Sequence, residues 1–179
     1  RGFATDPCRS IFSRVQSMFS PRFTDNANVN VTRMGNRFIA ITETPIAVEF
    51  DSETLNAVGV FDPRDEVRGH ITTAHPHYDY ARKEALNYIT RFSQKSSYNV
   101  YRIPAGGSGR GELVGSLPTD QPAYMHSFGI TENYVILAEF PLVLQLRELL
   151  LSGKPFIENF HWKPERGTGF NVVDRRDGK

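Results

Sequence analysis

Tyr124-Met125-His126-Ser127-Phe128-Gly129-Ile130-Thr131-Glu132-Asn133-Tyr134-Val135-Ile136-Leu137-Ala138-Glu139-Phe140 decides how the rest of the chain is read. Tyr124 to Phe128 is a short aromatic-rich run. Thr131-Glu132-Asn133 is a polar break, and Tyr134 to Phe140 is a longer apolar run. Two such runs around turn-forming residues predict two strands. His126 sits inside the first run, between bulky apolar neighbours. An imidazole in such a place needs a polar partner. Two readings stay open: a core histidine bonded to backbone, or a metal ligand.

Upstream the same short rhythm repeats. Val29 to Thr32, Phe38 to Thr42, Ile46 to Phe50 and Ala57 to Val60 are separated by Gly35-Asn36, Pro45 and Asp51-Ser52-Glu53. That is the pattern of an antiparallel meander. Further strands are predicted at Ile71 to Ala74, Leu86 to Phe92, Val100 to Ile103 and Leu113 to Leu117. The glycine-rich stretch Gly106 to Gly111 lacks the Lys-Ser/Thr and following helix of a phosphate loop, so it reads as a hairpin turn. Leu142 to Leu151 reads as a helix stopped at Ser152-Gly153. The fold class is therefore all-β and antiparallel, with short helical insertions. Four-stranded units suggest propeller blades, and a sandwich stays open because no repeat signature accompanies them. Phe170 to Asp174 reads as a strand running into an Asp177-Gly178 turn. A turn of that type leads to a returning strand, so residues 1–179 are expected to be part of a larger β protein.

A length of 179 residues points to one domain. The 21 Lys and Arg nearly balance the 20 Asp and Glu, leaving a net charge of +1. Binding nucleic acid by bulk charge is thereby disfavoured. Cys8 is the single cysteine, which excludes an internal disulfide. No run approaches the roughly 18 apolar residues of a membrane span. Residues 8–23 predict an amphipathic helix, with Ile11, Phe12, Val15, Met18 and Phe19 on one face and Arg9, Arg14 and Arg22 around it. That face either packs on a core or lies in a membrane interface. In the second case Cys8 is a candidate lipidation site.

Several polar residues stand at strand ends. Thr72-Thr73-Ala74-His75-Pro76-His77-Tyr78-Asp79 carries a His-x-His spacing, which on a strand puts both rings on one face; Pro76 bends that expectation. Glu43 in Ile41-Thr42-Glu43-Thr44 is either a solvent-facing carboxylate or the acceptor of a ligand histidine's free N–H. His70 and His161 read as surface residues. Ser127 lacks an elbow motif and Cys8 lacks an adjacent base, so no nucleophilic constellation is apparent.

At these residues the chain resembles the carotenoid cleavage oxygenase family. The matching segments are Asp6 to Arg14, Thr24 to Val31, Thr42 to Thr44, Thr73 to His77 and Tyr124 to Thr131, in the family's order. The resemblance implies a seven-bladed β-propeller holding Fe(II) through four histidines, with three glutamates supporting those histidines. By motif His75 and His126 match two of the ligands and Glu43 one of the supporting glutamates; His77 is a neighbour and not a ligand. The other ligands belong to later blades, so residues 1–179 are expected to form a partial propeller, inactive in isolation. The implied substrates are a carotenoid or apocarotenoid and O₂, and the implied products are aldehydes such as retinal. A membrane-facing helix would suit so greasy a substrate, on a cytoplasmic protein associated with the membrane surface. A retinyl-ester isomerohydrolase and a non-catalytic carotenoid-binding propeller are the alternatives.

Overall fold

A computed structural model of the chain describes residues 27–62, 67–106, 109–152 and 154–179. The predicted helix of residues 8–23, with Cys8, Ile11, Phe12, Val15, Met18 and Phe19, lies outside the described residues.

The first sheet is the predicted meander. Strands β1 (Asn30–Met34), β2 (Arg37–Ile41), β3 (Ala47–Phe50) and β4 (Ala57–Phe61) pair antiparallel in that order. Gly35 makes the β1–β2 turn with φ +60°, a conformation a Cβ would strain. The second sheet holds β5 (Ile71–Thr72), β6 (His77–Asp79), β7 (Glu84–Arg91), β8 (Ser96–Pro104) and β9 (Glu112–Thr119). Its centre is β7–β8–β9, and both β5 and β6 pair with β7, one after the other. The chain between them, residues 73–76, is therefore lifted off the ladder. A third sheet joins β10 (Gly129–Ile130), β11 (Tyr134–Glu139) and β14 (Gly169–Asp174). Strands β12 (Leu142–Leu144) and β13 (Phe160–Trp162) form a two-stranded ribbon beside it.

Side chains alternate across a strand, so a middle sheet can feed two cores. Ala85, Ile89, Tyr101 and Ile103 face the first sheet and meet Met34, Ile39, Ile41 and Phe61. Leu86, Tyr88, Tyr98 and Val100 face the third sheet and meet Val135, Leu137 and Val173. The layers are thus stacked face to face, with the second sheet sandwiched between the others.

Two expected elements differ. Leu142 to Leu144 is a strand, because it has a partner: Leu142 pairs with Trp162, Val143 with His161 and Leu144 with Phe160. Helix α1 (Leu146–Leu151) begins only after Gln145, whose backbone is extended. Tyr124 to Phe128 is not a strand either. Beyond the isolated bridge of Ala123 to Val143, it runs irregularly until β10. Met125 and Phe128 are both buried in the second core, and that spacing of three cannot share one face of a strand.

Arg175 fastens the second and third sheets. Its Nη2 donates to Asp79 Oδ2 at 2.6 Å and Glu84 Oε1 at 2.7 Å, and its Nη1 donates to the carbonyls of Thr131 at 2.7 Å and Glu132 at 3.2 Å. The Arg175 and Glu84 side chains are 2% and 8% exposed. Removing this cation leaves the buried Glu84 carboxylate to the partly exposed Arg102 at 3.8 Å, which costs far more than losing a surface pair. Arg175→Ala is expected to lower the unfolding free energy by about 3–5 kcal/mol. Arg176→Ala, whose side chain is 69% exposed against Asp174, should cost no more than about 1 kcal/mol. Urea unfolding of the two variants checks the difference.

Candidate metal centre

Glu43 follows β2 in a short loop that Pro45 keeps from continuing the strand. The Thr72 N–H donates to the Glu43 carbonyl at 2.9 Å, which ties that loop to β5. Asn30 Nδ2 donates to the Ala74 carbonyl at 2.8 Å and holds the 73–76 loop from the other side. His75 is carried on that loop, in the gap between β5 and β6. His126 is carried on the irregular segment before β10.

These three residues converge although 83 positions separate Glu43 from His126. The rings of His75 and His126 lie 4.5 Å apart, inclined at 60°. His126 Nδ1 is 3.0 Å from Glu43 Oε1. The Tyr124 hydroxyl donates to the same oxygen at 2.9 Å. Burial, the hydrogen bond to Glu43 and the Glu43 charge push the Tyr124 phenol up to about 12, so it remains a donor at neutral pH. An ionised carboxylate only accepts hydrogen bonds. The hydrogen-bond network therefore assigns the His126 proton to Nδ1 and leaves the Nε2 lone pair free.

His75 presents a complementary feature. Its Nε2 is buried and, among the described residues, has no hydrogen-bond partner. Buried ring nitrogens are ordinarily satisfied, and a metal ion satisfies one as well as a hydrogen bond does. The donor set of the two imidazoles suits a transition-metal ion. Among the described residues no three His, Cys, Asp or Glu side chains gather to hold a metal.

The other histidines are placed differently. His77 is turned away from His75, its Nε2 at 2.7 Å from the Phe128 carbonyl and its ring edge-on to Phe128. His70, expected on the surface, is half-buried: it stacks on Phe92 with ring centres 5.4 Å apart and accepts the Phe92 N–H at Nδ1. His161 lies 2.9 Å from Glu148 and links β13 to α1. Sequence reasoning passed over Tyr124, which reads as one more aromatic in an apolar run. Its role depends on a hydroxyl meeting a carboxylate 81 residues away, and no local pattern announces that.

Nitrogen-15 NMR of the His126 ring checks the assignment. A protonated Nδ1 and bare Nε2 are expected in the metal-free protein. Glu43→Ala should shift the ring towards the other tautomer, whereas Tyr124→Phe, which leaves the carboxylate in place, should not.

A family model described as retinal pigment epithelial membrane protein matches residues 2–179. The chain is 35% identical to the mitochondrial carotenoid-cleaving dioxygenase of Mustela putorius furo, over 97% of this chain and 35% of that protein. It is 33% identical to the β,β-carotene 15,15'-dioxygenase of Rattus norvegicus, over 97% of this chain and 34% of that one. The chain thus spans about a third of the length of these relatives. The fold matches cobalt-substituted Synechocystis apocarotenoid oxygenase with a TM-score of 0.73 at 22% identity, over 92% of this chain and 36% of that one. It also matches the Pseudomonas brassicacearum lignostilbene dioxygenase with a TM-score of 0.69 at 24% identity, over 87% and 32%. By its family model and its relatives, this chain belongs to the carotenoid cleavage oxygenase family.

Proposed function

We propose that this chain is the part of an iron-dependent oxygenase that supplies two of its metal ligands, His75 and His126. The reaction is oxidative cleavage of a conjugated double bond in a carotenoid or apocarotenoid, giving two carbonyl products. The observation that carries this reading is the paired imidazoles, one with a buried unpartnered nitrogen and one oriented by a carboxylate. It is supported by the family and by relatives named as carotenoid dioxygenases.

Bound Fe(II) would supply the activation of O₂ for addition across the double bond. The protein's residues do the rest. His75 and His126 each offer a neutral nitrogen, so they hold a cation without cancelling its charge. Glu43 accepts the His126 N–H, which fixes the ring's orientation and raises the basicity of the opposite nitrogen. Tyr124 anchors that carboxylate from the far side.

The completed fold in this reading is a seven-bladed propeller, of which the described residues form the sheets above. The outward faces support it. Across the first sheet Val31, Ala40, Val48 and Val60 stand in one row, and Val31 and Val60 are 61% and 63% exposed. On the third sheet Phe170 and Val172 are 69% and 51% exposed. Apolar rows on both outer faces suit a stack that continues in both directions. His126 is itself 58% exposed, on a side open to further ligands from the rest of the protein. Among the described residues no helix is long and apolar enough to cross a membrane. The amphipathic sequence pattern of residues 8–23 supports approach to a membrane surface, from the cytoplasmic side, where a polyene would be drawn from lipid.

The test is polyene cleavage by the protein expressed from its whole reading frame, with aldehydes read by chromatography. Chelation of iron should abolish cleavage and added Fe(II) restore it. His126→Ala should abolish it, and Glu43→Gln should lower it by about 10–100-fold. Recovery of a retinol isomer from a retinyl ester, with no aldehyde, would assign the isomerohydrolase reaction; polyene binding with neither product would assign a binding module. The stacked fold has its own check. Val60→Asp in that protein should destabilise by about 1–3 kcal/mol if another sheet covers it, against about 0.5 kcal/mol for an uncovered site.

A further inference from the structure

The segment that carries His126 has left strand geometry to bury Met125 and Phe128 together, so its carbonyls need donors other than a neighbouring strand. Three side chains provide them. The Tyr88 hydroxyl donates to the Met125 carbonyl, the Thr73 hydroxyl to the His126 carbonyl, and His77 Nε2 to the Phe128 carbonyl at 2.7 Å. Tyr88 and His77 belong to the second sheet, and Thr73 starts the loop that carries His75 from it. Burial pushes the Tyr88 phenol up, so it stays protonated and donating.

Thr73 does more than satisfy one carbonyl. Its oxygen also accepts the His75 N–H at 3.1 Å. A hydroxyl has one proton to give and lone pairs to accept with, and here both functions are used. One oxygen is therefore bonded to the main chain of His75 and to that of His126. The residue is fully buried, and its own carbonyl is held by Asn87 Nδ2 at 3.1 Å. Its position cannot drift without moving both imidazoles.

We propose that Thr73, assisted by His77, is a positioning residue that sets the separation of His75 and His126 and thereby the affinity for the metal. The inference rests on the reading of His75 and His126 as ligands. It goes beyond that reading in assigning the geometry to a hydroxyl that touches neither ring nitrogen.

The test measures Fe(II) affinity anaerobically, by competition with a chromophoric chelator, and thermal stability of the metal-free protein, in the protein expressed from its whole reading frame. Thr73→Val keeps the shape and removes the hydroxyl; Thr73→Ser keeps the hydroxyl. Ser96→Ala is the control, because Ser96 is a buried hydroxyl donating to a backbone carbonyl, that of Ser93, in the β7–β8 hairpin. Thr73→Val should weaken Fe(II) binding about 10–100-fold, the range found for groups that orient metal ligands. Thr73→Ser should restore most of it, and Ser96→Ala should lower stability without changing affinity. Equal Fe(II) affinity in Thr73→Val and Ser96→Ala, or a serine variant as weak as the valine one, overturns the proposal. If Thr73→Val shows no cooperative melting, His77→Leu and His77→Gln carry the test, since glutamine keeps an N–H for the Phe128 carbonyl. Weaker binding in the leucine variant alone supports the proposal, and equal binding in the two overturns it. His126→Ala separates the two levels. If it abolishes binding while Thr73→Val does not, only this inference fails; if it leaves binding intact, the ligand reading falls with it.

Discussion

Strand β7 is buried on both faces. From Glu84 to Thr90 every residue is enclosed, with Ala85 and Ile89 in one core and Leu86 and Tyr88 in the other. Such a strand cannot be composed of apolar residues alone if it is also to organise its surroundings, and its polar members have to be satisfied inside. Glu84 is met by Arg175, which reaches across from the end of β14 and binds the carbonyls of Thr131 and Glu132 on the way. Asn87 reaches the Thr73 carbonyl, and Tyr88 reaches the Met125 carbonyl. Glu84, Asn87 and Tyr88 of β7 thus become fasteners for segments that lack a ladder of their own. The burial that stabilises the strand also fixes the chain around the candidate metal centre.

That arrangement explains why the centre sits where regular structure breaks. His75 occupies the gap between two short strands that share β7 as a partner. His126 occupies a stretch that has abandoned strand pairing. Glu43 lies just past the end of β2. Loops free side chains from the strict up-and-down alternation of a sheet, and a converging set of polar side chains needs that freedom. The cost is loss of rigidity, which the Thr72, Asn30, Thr73 and His77 hydrogen bonds restore one group at a time.

Much of the fold was legible in the sequence because alternation and turn residues report strands directly. The first meander follows from Gly35-Asn36 and Pro45 between apolar runs, and β8 and β9 pair as the glycine-rich connection predicts. Leu142 to Leu144 misled because it opens a leucine-rich run, and leucine suits a helix; the strand outcome depends on Phe160 to Trp162, a partner that local propensity does not see. Tyr124 to Phe128 misled because its composition is that of a strand, while its burial spacing is set by a tertiary core. In the site, Glu43, His75 and His126 were singled out by motif and by polar residues at strand ends. Thr73 and Tyr124 were not, because a threonine beside a strand and a tyrosine in an apolar run carry no signal until the partner across space is known.

The sequence left His126 between two readings, core histidine and metal ligand, and the other histidines supply the scale for choosing. A histidine that serves only the fold uses a ring nitrogen on the protein. His77 does so on the Phe128 carbonyl, His70 on the Phe92 N–H, and His161 on Glu148. His126 uses Nδ1 on Glu43. His75 departs from this habit, with a buried Nε2 that has no partner among the described residues, beside the ring of His126. Leaving such a nitrogen unsatisfied costs about 1–3 kcal/mol, a large share of the net stability of a domain. A chain that satisfies four imidazoles and leaves the fifth bare next to an oriented one has a physical reason to do so if the bare nitrogen has a cation to bind. That contrast favours the ligand reading on grounds independent of the motif.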